Sequence, residues 1–241
     1  MSVGVASSAT ATVPLVQAQI VVSIGQAAVA VRGSLTNRGM RDDSLLLKTA
    51  LTEAFGGALI RPWRLMGVRD NCATVLGYTS GIEAEQLRSR LALAMPALQQ
   101  AVSVVATAPM PVLDQGQLLR FSTGMVPTIR QTSAGEIDAF LYAVRRAPDA
   151  RHERAQVYTD YLNDRLSGAK VGSVSMKGMQ LTPMLRRDGK KGWTERTFPV
   201  AEMSGTLEVT DSAVFVATLA KGVGRQKAYG YGLVRLEALR G

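Results

Sequence analysis

The sequence predicts an α+β protein of two tandem ferredoxin-like domains with a C-terminal glycine-rich loop. Three observations carry this expectation. Alternating and helical apolar spacings follow one another in the order β-α-β-β-α-β over residues 1–108, which is the order of a ferredoxin-like unit. The stretch APMPVLDQG, with two prolines and a glycine, then breaks the pattern and makes residues 109–116 the expected linker. The same order begins again after it and fills residues 117–241.

In the first unit, PLVQAQIVVSI (residues 14–24) is rich in Val and Ile and reads as a strand. SLLLKTALTEAFGG places Leu46, Leu47, Ala50, Leu51 and Ala54 at helical spacing, with Ser44 as the expected N-cap and Gly56 and Gly57 as the stop. IRPWRLMGVRDNCATVLGY reads as two short strands joined around residues 67–70. Residues 81–100 form an expected amphipathic helix broken near Pro96, and AVSVVATA closes the unit with a strand. In the second unit, QLLRFSTGMVPTIR is a strand interrupted near Gly124, and GEIDAFLYAVRR opens a helix. Residues 153–166 are helical, residues 171–185 and 194–209 are strand-like, and DSAVFVATLAKG is a short helix. Gly222, Gly224, Gly230 and Gly232 then lead into the last strand, YGLVRLEAL.

Charge narrows the function classes. The 241 residues carry 28 Lys and Arg against 19 Asp and Glu, a net +9, which favours a polyanionic partner such as nucleic acid or an anionic surface. No segment reaches the ~20 uninterrupted apolar residues of a spanning helix, and the N-terminal stretch lacks the basic start of a secretory signal. No membrane is therefore expected, and the compartment is expected to be the cytoplasm. The single cysteine, Cys72, excludes an internal disulfide and reads as a buried structural thiol. Residues 165–196 hold eight basic side chains against two acidic, densest in RRDGKKGW. This basic turn between two strands, beside Trp193, suits an RNA stem or serves as a solvated loop.

Missing motifs matter as much. The lone His152 lies in a charged helix start and reads as a surface residue. There is no HExxH, CxxC or carboxylate cluster, so no metal is expected. The glycines of KGVGRQKAYGYG follow a helix and precede a strand, the wrong polarity for a P-loop or Rossmann site, so no small-molecule cofactor is expected either. What remains is Arg, Lys, Tyr and backbone N–H. Such groups bind a phosphodiester and stabilise a pentacoordinate phosphorane, while RNA supplies its own 2′-hydroxyl nucleophile.

KGVGRQKAYGYGLVRL resembles the glycine-rich loop and last strand of the RAMP superfamily of CRISPR-associated proteins. LLRFSTGMVPTIR resembles the strand that begins the second domain of its crRNA-maturing nucleases, and ERAQVYTDYLNDRLSGAKVGSVSM resembles the helix and strand that follow. The resemblance implies two ferredoxin-like (RRM-like) domains and a metal-independent endoribonuclease that cleaves CRISPR repeat RNA at the base of a stem-loop. Its products would be a 2′,3′-cyclic phosphate and a 5′-hydroxyl, and the enzyme would stay bound to the crRNA. It also implies other CRISPR effector-complex subunits as partners. The alternative is a non-catalytic crRNA-binding subunit of an effector complex.

The resemblance implies RNA contacts at Gly222, Gly224, Arg225 and Lys227, and at Arg186, Arg187, Lys190 and Lys191 of the basic hairpin. Lys177, Arg120 and Arg130 are further expected RNA-binding residues. Many of these nucleases place a catalytic His, often with Tyr, in or before the first helix. Here that stretch, RGSLTNRGMRDDSLLLKTALTEAF, contains neither and offers Arg32, Arg38, Arg41 and Lys48 as the catalytic candidates. A His-free site would fit a divergent system such as the type IV variant. Surface charge paired to Asp42 or Asp43 is the competing role for Arg38 and Arg41, and snorkelling from the core edge is the competing role for Lys48.

Overall fold

The computed structural model describes residues 14–36, 38–57, 59–131, 135–187 and 192–239. The first unit contains β1 (Leu15–Ser23), α1 (Ile24–Ala30), α2 (Asp43–Phe55), β2 (Trp63–Arg69), β3 (Cys72–Ser80), α3 (Ala84–Ala92), α4 (Pro96–Ala101) and β4 (Val102–Pro109). Its antiparallel sheet has the order β2-β3-β1-β4. This is the expected ferredoxin-like arrangement, with the first strand inside and the last at the edge.

Local chemistry explains the elements. Along α2, Leu46, Leu47, Ala50, Leu51, Ala54 and Phe55 are buried. They pack with Ile20 and Val22 of β1 and Val75 of β3, and each buried large aliphatic side chain contributes ~1.5–3 kcal/mol. The N-cap is Asp42 rather than Ser44: its Oδ1 accepts from the Leu45 amide at 3.0 Å. Its Oδ2 accepts from the Leu185 amide of the second unit at 2.9 Å, so the cap also ties the two units together. The helix expected over residues 81–100 is two helices, because Pro96 starts α4 at its first turn, where a missing N–H costs nothing. The β2–β3 turn falls on Asp70 and Asn71, both left-handed, slightly beyond the expected position. Helix α1 was not expected. Its short, small-residue run IGQAAVA continues directly from β1 and carries little periodic signal. Cys72 is half-buried at the start of β3 rather than buried, since it pairs with Ser23 at the end of the ladder.

The second unit contains β5 (Leu118–Met125), β6 (Thr128–Gln131), β7 (Gly135–Asp138), α5 (Ala139–Arg146), α6 (Arg154–Asn163), β8 (Ala169–Arg187), β9 (Trp193–Val209), α7 (Ser212–Lys221) and β10 (Arg235–Ala238). Its main sheet has the order β10-β5-β9-β8, the ferredoxin-like order again. Residues 135–138 pair with β6 as strand β7 instead of opening a helix. Asp138 then starts α5 by accepting from the Phe140 amide at 2.9 Å. The break in the opening strand comes at Val126 and Pro127, after Gly124, because Pro127 has no N–H to offer a ladder. Strand β10 begins only at Arg235, and residues 227–229 of the glycine-rich loop form a 3-10 turn.

The two cores interlock. Leu15, Leu76 and Tyr78 of the first sheet pack into the second core, while Leu185 and Tyr229 pack into the first. The Tyr78 hydroxyl, buried, donates to the Val234 carbonyl at 2.7 Å. Arg64 of β2 pairs with Glu202 of β9 at 2.6 Å and reaches Ser122 Oγ at 3.4 Å. Among the described residues no helix is long and apolar enough to cross a membrane.

Candidate nucleic-acid interface

The glycine-rich loop is shaped by contact with the first unit. Gly230, at φ 89°, lies so close to Trp63 that a Cβ there would sit 2.6 Å from the indole ring. The Trp63 indole N–H donates to the Ala228 carbonyl at 3.2 Å. Loop amides turn inward: Val223 N–H bonds to the Gly232 carbonyl at 2.8 Å, Arg225 N–H to Val126 at 3.2 Å and Gly232 N–H to Gly124 at 2.7 Å. Gly222 N–H likewise bonds to Thr218 at 2.8 Å. The amides of Gly222, Val223, Arg225 and Gly232 are therefore spent on intramolecular bonds. At these four positions only side chains can offer donors to a ligand.

Those side chains are held by neighbours. The Arg225 guanidinium grips Glu136 Oε1 through Nε at 3.0 Å and Nη2 at 2.8 Å, and the Gln226 amide donates to Glu136 Oε2 at 3.0 Å. Lys227 Nζ donates to the Gly222 carbonyl at 3.3 Å. Burial holds the Lys227 pKa below the usual lysine value, and the charges of Arg61, Arg225 and Lys221 push it the same way.

Beside the loop, the second unit's hairpin and α2 enclose a cleft of about 580 Å³. Tyr229 forms part of its wall. Lys48 Nζ stands 4.9 Å from the Tyr229 ring centre and the Arg186 guanidinium 4.1 Å from it, so two cations share one aromatic ring. Arg186 also lies 5.6 Å from the Phe198 ring. Arg130, Arg187, Arg196 and Arg225 complete the charged rim, against which Glu136 is the only carboxylate among the described lining residues. Converging like charges at an open cleft raise the local concentration of an anionic ligand.

The expected site residues thus divide. Lys48, Arg130, Arg186, Arg187 and Arg225 meet at this cleft. Gly222, Gly224 and Lys227 line a second cavity behind it. Arg38 is drawn elsewhere: its guanidinium pairs with Glu195 at 2.8 Å. Arg38 does not line the cleft. Arg32 and Arg41 are exposed and line neither cavity. Arg120 and Lys177 lie on the exposed face of the second sheet, along a groove of about 440 Å³ with Ser122, Ser175 and Ser204. Lys190 and Lys191 lie outside the described residues. His152 is at the surface as expected, with Nε2 2.8 Å from the Ala147 carbonyl. Among the described residues no group of three or more His, Cys, Asp or Glu converges on a point.

Sequence reasoning missed Glu136, Arg196, Phe198 and Tyr229 as cleft residues. Tyr229 was legible as the aromatic between Lys227 and Gly230. Glu136 had no local signal, because its role comes from a partner 89 positions away.

A family model described as "CRISPR associated protein" matches residues 36–237. The chain belongs to this family. Among solved structures, the CRISPR endoribonuclease Cse3 bound to a 19-nt RNA superposes with a TM-score of 0.62 at 20% identity, covering 92% of this chain and 99% of that one. Thermus thermophilus Cse3 bound to an RNA representing a pre-cleavage complex gives 0.59 at 20% identity, over 93% and 99% of the two chains. Cas6e from Escherichia coli K-12 gives 0.55 at 17% identity, over 93% and 100%. At these identities the likeness establishes the shared fold, two tandem ferredoxin-like units. No curated protein matches the chain.

Proposed function

We propose that this family member is an endoribonuclease that matures crRNA by cutting CRISPR repeat RNA at the base of a stem-loop without a metal, and that it holds the product afterwards. The observation that carries the reading is the cationic cleft at Tyr229, set in a fold whose solved examples include endoribonucleases bound to RNA. Other CRISPR effector subunits are the proposed protein partners, since a chain of a CRISPR RNA-guided surveillance complex shares the fold with a TM-score of 0.59.

The chemistry follows from the groups that line the cleft. The RNA 2′-hydroxyl, giving up its proton to water, attacks the adjacent phosphorus in line with the leaving 5′-oxygen. One P–O bond forms and one breaks, leaving a 2′,3′-cyclic phosphate and a 5′-hydroxyl. Negative charge builds on the phosphorane oxygens, and fixed cations lower its energy without having to reorganise. Arginines keep their protons and can only bind and stabilise. Glu136 is committed to Arg225 and Gln226. Lys48 therefore has the leading part: its ammonium stabilises the phosphorane and hands a proton to the departing 5′-oxygen, regaining one from water. Arg186, stacked on Tyr229, fixes the scissile phosphate beside it. Arg130, Arg187 and Arg225 hold the flanking backbone, while Lys177 and Arg120 contact RNA that passes over the sheet face. We reassign Arg38 from catalysis to a contact with the turn end of the hairpin through Glu195.

Incubation of purified protein with repeat RNA in EDTA, read on a denaturing gel with end-group analysis, tests the proposal. Discrete cleavage with cyclic-phosphate and 5′-hydroxyl ends is expected. Tight binding with the RNA left intact would instead make the chain a non-catalytic crRNA-binding subunit.

A further inference from the structure

A second cavity, of about 650 Å³, opens between β6, the C-terminal end of α6, α7 and the glycine-rich loop. Its size falls within the ~300–1,000 Å³ range of sites for small-molecule-sized ligands. It shares only Arg130 and Arg225 with the cleft at Tyr229, and the mechanism above uses none of its other walls.

Three features define what fits there. The charge is one-sided: Lys221 and Lys227 join Arg130, Arg165 and Arg225, and no carboxylate lines the cavity among the described residues. Burial and then the charges of Arg61, Arg225 and Lys221 hold the Lys227 pKa down, and an anion in the cavity would offset those charges. Next, the Arg165 guanidinium lies 3.4 Å from the Tyr161 ring centre and donates through Nη1 to the Tyr161 carbonyl at 2.9 Å. The Tyr161 hydroxyl is itself anchored on the Thr128 carbonyl at 3.1 Å. Arg165 itself lines the cavity, so a ligand there meets a guanidinium already backed by an aromatic ring, a surface on which nucleobases pack. Finally, Thr128 is only 3% exposed, lines the cavity, and its hydroxyl has no hydrogen-bond partner among the described residues. Buried hydroxyls are normally paired, and this one, at the edge of the cavity, has an unused donor and acceptor on the side where a ligand would sit.

We infer that this cavity is a subsite for one unpaired nucleotide of the RNA, with its base on the Arg165–Tyr161 stack and its phosphate between Lys221 and Lys227. The inference rests on the RNA-binding reading proposed above. Arg130 and Arg225 border both cavities, so a single strand leaving the cleft passes over them into the subsite. A nucleotide inside a duplex has both base faces covered and cannot use the stack, which is why the occupant is an unpaired one.

The test compares labelled RNA hairpins of the repeat with blunt ends, with an unpaired 5′ flank and with an unpaired 3′ flank. Affinities are measured for the wild type, Arg165→Ala, Arg165→Lys and Lys221→Ala, with thermal melts to confirm folding. One flank is expected to tighten wild-type binding about tenfold, the scale of a single base stack. Arg165→Ala and Arg165→Lys should both abolish that gain, the lysine keeping charge but not the flat face, while the blunt hairpin binds equally well to all. A flank that adds nothing, or a gain that survives in Arg165→Ala, overturns the subsite. If the wild type ignores the blunt hairpin altogether, the stem-loop reading is what fails. The subsite is then judged on the flank oligonucleotide alone, which must bind the wild type and not Arg165→Ala.

Discussion

Lys48 of α2 and Tyr229 of the glycine-rich loop meet across the two halves of the chain, the ammonium 4.9 Å from the ring centre. Neither unit alone forms this pair. The first ferredoxin-like unit supplies the cation, and the second supplies the ring together with Arg186, the cation that shares it.

Replacing Lys48 by Ala is expected to slow single-turnover cleavage of repeat RNA by about 10²-fold, the scale of losing one preorganised charge donor. Hairpin affinity should change only a few-fold, because five arginines still line the cleft. A variant that cuts at the wild-type rate would take Lys48 out of the chemistry.

Arg38→Ala provides the contrast. Both partners of its ion pair are open to solvent, with 67% of the Arg38 side chain and 44% of Glu195 exposed. Such pairs contribute at most about 1 kcal/mol. The melting temperature and the cleavage rate should both stay close to the wild type. A hundredfold loss of rate would return Arg38 to the active site.

Gly230→Ala should destabilise the protein. The residue sits at φ 89°, and its new methyl group would meet Trp63 at 2.6 Å. Strain of this kind costs on the order of 1–3 kcal/mol, or a fall of roughly 3–10 °C in Tm for a chain of this size. Tyr229 is the adjacent residue, so cleavage should weaken as well. Differential scanning calorimetry and the gel assay check the two effects separately.

Lys227 ties both stability and RNA binding to pH. Lys227 has its pKa lowered, first by burial and then by Arg61, Arg225 and Lys221. The unfolded chain, with the normal lysine value, therefore binds more protons between the two pKa values. The Lys227 contribution to stability accordingly rises with pH across that interval. A bound phosphate favours the charged form, so the affinity gained from an unpaired flank should fall as pH climbs through the lowered pKa. Lys227→Arg should remove that fall, since arginine stays protonated. A flank contribution that is flat with pH in the wild type would show that Lys227 makes no phosphate contact.

Much of this architecture was readable along the chain. Leu46, Ala50 and Leu51 mark α2 because a helix must bury one face, and that constraint acts over a few residues. The same holds for β1, with its Val and Ile run, and for the break before Pro96. The fold class followed from the order of such elements, and the net charge of +9 followed from composition. Boundaries set by long-range pairing were less legible. Residues 135–138 became strand because β6 lay beside them, and Asp42 displaced Ser44 as the cap while also bonding to Leu185.

The site was decided almost wholly by tertiary structure. The sequence by itself determined two ferredoxin-like units, a basic hairpin and a glycine-rich return loop. Only the folded loop showed that the amides of Val223, Arg225 and Gly232 bond within the protein and that Gly230 packs on Trp63. Only the docking of α2 against the second unit separated Lys48, which lines the cleft, from Arg38, which pairs with Glu195 outside it. Helix and strand periodicity are local consequences of backbone geometry. The convergence of charged side chains depends on which surfaces the two interlocked cores bring together, and no short stretch of sequence encodes that.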